Sequence, residues 1–167
     1  MKQLLLSLAL YRQWANKVLL KKLSTLPSEI LQRETGTSFG NINQTLTHVL
    51  NANSIWWQRI QLKEKIELPG IELTNDFNSL SKEILFMSEL WVSLISEASE
   101  LRLQHVFEYR NSKREAFKQP LYDVLLHLFN HETYHHGQVV AMLKILQIEN
   151  IPATDYIVFT RTKGKIN

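Results

Sequence analysis

PLYDVLLHLFNHETYHHGQVVAMLKIL, residues 120–146, runs without an interior proline and repeats apolar side chains every three or four positions. Leu121, Leu125, Leu128, Met142, Leu143 and Leu146 fall along one side of a 3.6-residue helix. Pro120 suits the first turn, where its missing N–H sacrifices no hydrogen bond, and Pro152 lies just beyond the far end. The stretch predicts one long amphipathic helix, and four of the six histidines of the chain sit on it, at 127, 131, 135 and 136.

The same period recurs three times upstream. A first helix is predicted from about Gln3 to Leu23, carrying Leu4, Leu8, Ala15 and Leu19 and stopping before Pro27. A second begins near Asn41, carries Ile42, Leu46, Val49, Trp56 and Ile60, and ends ahead of Pro69-Gly70. A third follows the capping pair Asn75-Asp76 and repeats Leu80, Ile84, Met87, Trp91, Leu94, Ala98 and Leu101. Between the third and fourth, Val106–Arg110 and Glu115–Lys118 flank Asn111-Ser112, which predicts a short β-hairpin leaning on the helices. Four such helices predict an all-α four-helix bundle that uses residues 1–167 as one domain.

Composition narrows the function classes. With 167 residues, 44% hydrophobic, five glycines and four prolines, the chain is neither low-complexity nor disordered. The absence of cysteine excludes a disulfide scaffold, a thiolate metal site and a cysteine nucleophile. Any transition metal must therefore be held by histidine and carboxylate. The net charge is only +3, and the basic residues are scattered apart from Arg110, Lys113, Arg114 and Lys118 in the hairpin and Arg161, Lys163 and Lys165 in the tail. These read as a solvated hairpin and tail rather than the concentrated basic face of a nucleic-acid binder. The apolar start is interrupted by Tyr11-Arg12-Gln13-Trp14, so it reads as a first helix and not a signal peptide. No segment approaches the ~18–20 apolar residues of a membrane span. The expectation is a soluble, cytoplasmic protein with neither nucleic-acid nor membrane partners.

The histidines carry the chemistry. His127, His131 and His135 form a ladder on one helix face that Gln138 continues, and two imidazoles at i and i+4 can reach one ion. The remaining ligand must come from another element, and His48 in the second helix, on a face with Ala52 and Ile55, is predicted to point into the bundle and supply it. His105 precedes the hairpin and His136 points about 100° away from His135, so neither joins this set. Gly137 suggests a close backbone approach. Residues 131–135 also match the H-E-x-x-H pattern of zinc proteases, in which Glu132 would be the general base. The extended form of that motif is absent, no strand-rich region precedes it, and Glu132 reads as a solvated helix residue.

The block Asn130-His131-Glu132-Thr133-Tyr134-His135-His136-Gly137-Gln138 resembles the N-H-x-x-x-H-R-G-Q signature of the DinB-like (DinB/YfiT-like) metalloenzyme family. Ser38 to His48 resembles its second block, and Tyr11-x-x-Trp14-Ala15-Asn16 and Pro152-Ala153-Thr154-Asp155 also fit. The resemblance implies an up-down-down-up bundle, a homodimer, and a divalent transition metal, zinc or nickel, held by His48, His131 and His135. One departure is plain: His136 stands where the family usually has arginine, which removes a fixed cation beside the site.

Three neutral imidazoles would leave the ion its full charge and an open position, either for a water whose pKa falls near 7 or for a thiolate supplied by a small molecule. A metal-dependent hydrolase or low-molecular-weight-thiol S-transferase is therefore expected. A non-catalytic metal-binding or metal-sensing bundle is the alternative, and a structural dimer with an opportunistic site is the third. Tyr11, Asn51 and Gln138 are the polar residues expected near the site.

Overall fold

A computed structural model describes residues 1–111 and 113–162 of the chain. Ser112 of the hairpin turn, and Lys163 and Lys165 of the basic tail, lie outside the described residues. The elements in order are α1 (Lys2–Leu23), α2 (Ser28–Leu31), α3 (Ile42–Ile60), α4 (Gly70–Leu73), α5 (Phe77–Glu97), α6 (Glu100–Gln104), β1 (Val106–Arg110), β2 (Ala116–Pro120), α7 (Leu121–Ile145) and α8 (Tyr156–Thr162). The fold is mostly helical, with one two-stranded antiparallel sheet in which Val106 faces Pro120 and Arg110 faces Ala116. Among the described residues, no helix is long and apolar enough to cross a membrane.

The helix boundaries follow from local chemistry. The side chain of Asn41 accepts the Gln44 N–H at 3.0 Å and starts α3. Asp76 accepts from Asn78 and Ser79 and starts α5. Pro120 precedes α7 in an extended conformation, as a residue without an N–H can do without loss. The third periodic run ends earlier than its pattern: α5 stops at Glu97, Ala98 is extended, and Ser99 caps a separate helix by accepting the Arg102 N–H. That restart turns Leu101 out to 79% exposure while Leu103 is buried.

The four long helices bury their apolar stripes against one another, α1 and α3 each packing on both α5 and α7. Leu80, Ile84, Trp91, Leu125, Leu128, Val139 and Met142 form the centre of this core, with Trp57 edge-on to Trp91 at 5.1 Å. Each fully buried leucine or isoleucine contributes about 1.5–3 kcal/mol relative to exposure. On α1 the buried stripe is Leu5, Ala9, Arg12, Ala15, Asn16, Leu19 and Leu23, and Leu4 is 61% exposed. Two polar residues occupy the inward face, so the apolar pattern places the start of the stripe one residue off, at Leu4 and Leu8, while Ala15 and Leu19 are buried as expected.

The hairpin leans on the helices through Phe107 and Tyr109, the latter edge-on to Trp56 at 4.8 Å. α8 folds back on α1, with Phe159 buried within 6 Å of the Tyr11 and Trp14 rings. Gly137 is open, with nothing within 4 Å of the point where a Cβ would stand, so no backbone approaches it. The close approach occurs at Gly70, where a Cβ would stand 2.8 Å from Asn51 Oδ1.

The end of α3 carries a strained residue. Leu62 has φ +55° beside a 3.0 Å bond from the Lys63 N–H to the Gln58 carbonyl, a helix-ending geometry usually given to glycine. The side chain is exposed and buries little. Leu62→Gly is expected to stabilise the protein by about 1 kcal/mol in urea unfolding. A neutral or lower unfolding midpoint would contradict the strain.

Candidate metal centre

The i, i+4 geometry of α7 places His131 and His135 one turn apart, and α3 brings His48 to them. His131 Nε2 lies 3.0 Å from His48 Nε2 and 3.1 Å from His135 Nε2, and the three ligand atoms lie within 4.8 Å of one another. Two imidazole nitrogens bound to one ion at ~2.0–2.1 Å would themselves stand about 3 Å apart. The group is therefore able to hold a metal ion.

The position of the cluster differs from the expectation. His48 and His131 are half-buried, and Ala52 and Ile55 share that partial exposure, so the site opens at the edge of the α3–α7 seam rather than in the bundle core. Phe39, on the loop before α3, stacks on His48 at 4.4 Å and stands edge-on to His135 at 5.3 Å. This ring covers one side of the cluster and holds His48 in place. His127, one turn before His131, is exposed at 5.8 Å from it between ring centroids and leans on Trp56 instead. His105 is also exposed and outside the group.

The nitrogens are prepared as acceptors. His135 Nδ1 and Gln138 Oε1 are 2.6 Å apart, and because the amide oxygen can only accept, Nδ1 carries the proton and Nε2 its lone pair. The Gln138 amide in turn donates to the Tyr134 hydroxyl at 3.1 Å. Burial, reinforced by His135, His48, His127 and then Arg12, pushes His131 down to about 4. Burial and then His135 also lower His48. Protons are thus weak competitors for two of the three nitrogens at neutral pH. Of the other polar residues expected here, Tyr11 donates to the Thr154 carbonyl and Asn51 accepts the Gly70 N–H, both in structural roles.

Behind the histidines lies a buried polar network that the apolar pattern did not reveal. Glu132 is 1% exposed, not solvated, and forms an ion pair with the buried Arg12 of α1. Asn16 and Asn53 both donate amide hydrogens to the same carboxylate. Asn53 Oδ1 accepts from Arg12 at 3.1 Å and from the Trp91 indole at 2.9 Å, and Asn16 also donates to Ser88 at 2.9 Å. All four long helices are tied together this way. With its amide hydrogens used, Asn16 presents its oxygen to His136 Nε2 at 2.8 Å, which fixes that imidazole as a neutral donor. Burial, aided by the Arg12 charge, pushes His136 down to about 3, so its 3.8 Å approach to Glu132 is not an ion pair at neutral pH.

The DinB family pattern matches residues 1–163. The chain belongs to the DinB family. It is 28% identical over 159 residues to Protein DinB of Bacillus subtilis (strain 168), an alignment covering 87% of each chain. The cation of this buried zone comes from α1: Arg12 is lowered by burial only to about 9 and stays charged at neutral pH. The Glu132 burial had one sequence signal, the i, i+4 pair Arg12 and Asn16 on the otherwise apolar face of α1.

Two outcomes follow from this network. Arg12→Ala leaves the Glu132 charge buried without its cation and is expected to cost about 3–5 kcal/mol in urea unfolding, whereas joint replacement of both residues by methionine and leucine costs far less. An equal loss in the two variants would refute the pairing. In chelator-treated protein His136 stays neutral while its unfolded counterpart protonates below about 6.5, so the unfolded state binds the extra proton and stability falls as pH falls. Between pH 6.5 and 5, above the carboxylate range, the decline should be about 1 kcal/mol per pH unit from His136, with His131 adding in the same direction. A flat unfolding midpoint across that window would contradict it.

Proposed function

We propose that this DinB-family protein binds a divalent transition ion, zinc or nickel, through His48, His131 and His135, and acts on small molecules as a metal-dependent hydrolase or a low-molecular-weight-thiol S-transferase. One observation carries the reading: three imidazole Nε2 atoms converge at a half-exposed edge, with the far nitrogen of His135 tied to Gln138. Mutually facing lone pairs in a partly desolvated site repel unless a cation lies between them. An all-nitrogen donor set suits zinc and nickel better than calcium or magnesium.

A bound ion would supply a Lewis acid with open positions on the solvent side. The chain's own residues divide the remaining work. His48 and His131 leave the approach open, and Phe39 shields one flank from water. Gln138 fixes the His135 tautomer, and Tyr134 orients Gln138. Since the chain has no cysteine, any thiol is brought by the substrate.

The contacts across the helices support the up-down-down-up order. Arg12 meets Phe129 and Asn16 meets His136, so α1 and α7 advance together. His48 meets His131 while Trp56 meets His127, so α3 runs against α7. Thr47 meets Thr74 and Trp57 meets Trp91, so α5 runs with α3. One domain over residues 1–167, a cytoplasmic location and a homodimer complete the proposal, the exposed Tyr134 and Ile145 on the outer side of α7 offering a surface for a second copy.

A non-catalytic metal-binding or metal-sensing role is the second reading, favoured by one observation. Glu132, the carboxylate adjoining the cluster in sequence, is committed to Arg12 and does not serve as an acid or base at the open side.

Elemental analysis of tag-free protein tests the ligand set. One ion per chain is expected in the wild type and in His127→Ala, and none in His48→Ala or His131→Ala; equal contents in all four would refute the triad. The ion should stabilise the fold by about 2.7 kcal/mol at one hundred times its Kd, a gain removed by chelator. A screen of several small thiols with an electrophilic acceptor, and of hydrolysable esters and amides, then separates the two readings. Turnover lost with His48→Ala supports the enzyme, and full metal occupancy without turnover supports the sensor.

A further inference from the structure

The metal cluster lies at one end of a longer feature. On α3, His48, Ala52, Ile55, Trp56 and Arg59 fall within about 100° of one helix face, and all are partly exposed. Across the seam, α7 contributes His131 and His127, the latter edge-on to Trp56 at 5.7 Å. The far end is closed by β1, whose Tyr109 ring stands 4.8 Å from that of Trp56.

Arg59 sits at this closed end in an unusual state. Its guanidinium lies 4.8 Å from the Trp56 ring centre and 5.2 Å from that of Tyr109, held against two rings that themselves meet edge to face. Among the described residues it has no carboxylate partner and no hydrogen bond, and its Nε is buried and unpaired. Arg12 also has an unpaired buried Nε, but unlike Arg59 it faces a carboxylate, that of Glu132. A cavity of about 350 Å³ opens at Arg59 and is lined also by Leu62, Lys63, Arg110, Glu64 and Glu108. Three cations, Arg59, Lys63 and Arg110, face the cavity against two carboxylates; Glu108 lies 3.5 Å from Lys118 and Arg110 donates to the Arg114 carbonyl. The volume is within the range of small-ligand sites, about 300–1,000 Å³.

We propose that this cavity binds the anionic end group, a carboxylate or a phosphate, of a small molecule that extends along the partly exposed α3–α7 seam, with Arg59 as the anion-recognising residue. A guanidinium held against two rings is restrained in advance, so an oxyanion gains charge-assisted hydrogen bonds at a smaller cost in side-chain freedom. Arg59 is eleven residues from His48, about 16 Å along the helix. A ligand anchored at Arg59 and extending to the histidines would therefore span roughly that length. The direction of that extension rests on the proposed metal function; the anion site itself does not.

The test is an NMR titration of the purified full chain with sodium acetate and, separately, sodium phosphate, at ionic strength held constant with sodium chloride. Saturable shifts centred on the Trp56 indole N–H, the Arg59 side-chain N–H and the Tyr109 amide are expected, with affinity at least tenfold weaker in Arg59→Gln. The tighter of the two anions names the end group. Shifts that are absent, unsaturable or centred elsewhere in the wild type overturn the proposal, as does equal affinity in Arg59→Gln. Elemental analysis of the same samples keeps the two readings apart: an intact anion response in protein that holds no metal would refute the triad and leave this site standing.

Discussion

The rest of the structure depends on a buried charge pair. Placing the Glu132 carboxylate at the centre of a helical core is expensive unless its surroundings donate to it, and here Arg12, Asn16 and Asn53 all do. The donors come from α1 and α3, and the side chains that hold those donors come from α5. Apolar stripes let neighbouring helices slide and rotate with little penalty, because one leucine resembles the next. A carboxylate with directional partners on two other helices permits one rotation of α7. Since Glu132 adjoins His131, the rotation that buries the acid turns the imidazoles at 131 and 135 toward His48. The ion pair and the metal cluster lie on adjacent faces of one helical turn.

That arrangement also fixes the state of the neighbouring imidazole. Histidine at 136 cannot serve as a cation in this core, since burial and Arg12 keep it neutral. It serves instead as a hydrogen-bond donor to Asn16. The positive charge next to the carboxylate is that of Arg12, which enters from α1.

Much of this was legible in the sequence, for reasons that can be stated residue by residue. The long helices were readable because Pro27, Pro69, Pro120 and Pro152 bracket them and because Asn41 and Asp76 are strong caps. His131 and His135 were readable as a pair because helix geometry alone puts i and i+4 together, and the hairpin because two short runs flank a turn. What escaped was set by tertiary contact. Glu132 looks like a surface residue until Arg12 is known to face it. Leu101 continues an apolar period that Ser99 has already ended. Gly137 and Gly70 are indistinguishable as letters, and only the position of Asn51 shows which of them must lack a side chain. Short helices such as α2 and α4 have too few residues to display a period. The aromatic pair against Arg59 joins a helix to a strand about fifty residues away, a pairing that no local pattern encodes.

The return of α8 onto α1 has a consequence for how the chain comes to be folded. Tyr11 and Trp14 emerge from the ribosome early, yet the rings that cover them, Tyr156 and Phe159, are made last. Arg12 and Asn16 likewise wait for α7. The first helix can pack on α5 before α7 is made, but it spends most of synthesis with an aromatic face and two inward polar groups lacking their final neighbours. The length of that interval is set by the order of elements along the chain rather than by the strength of any contact.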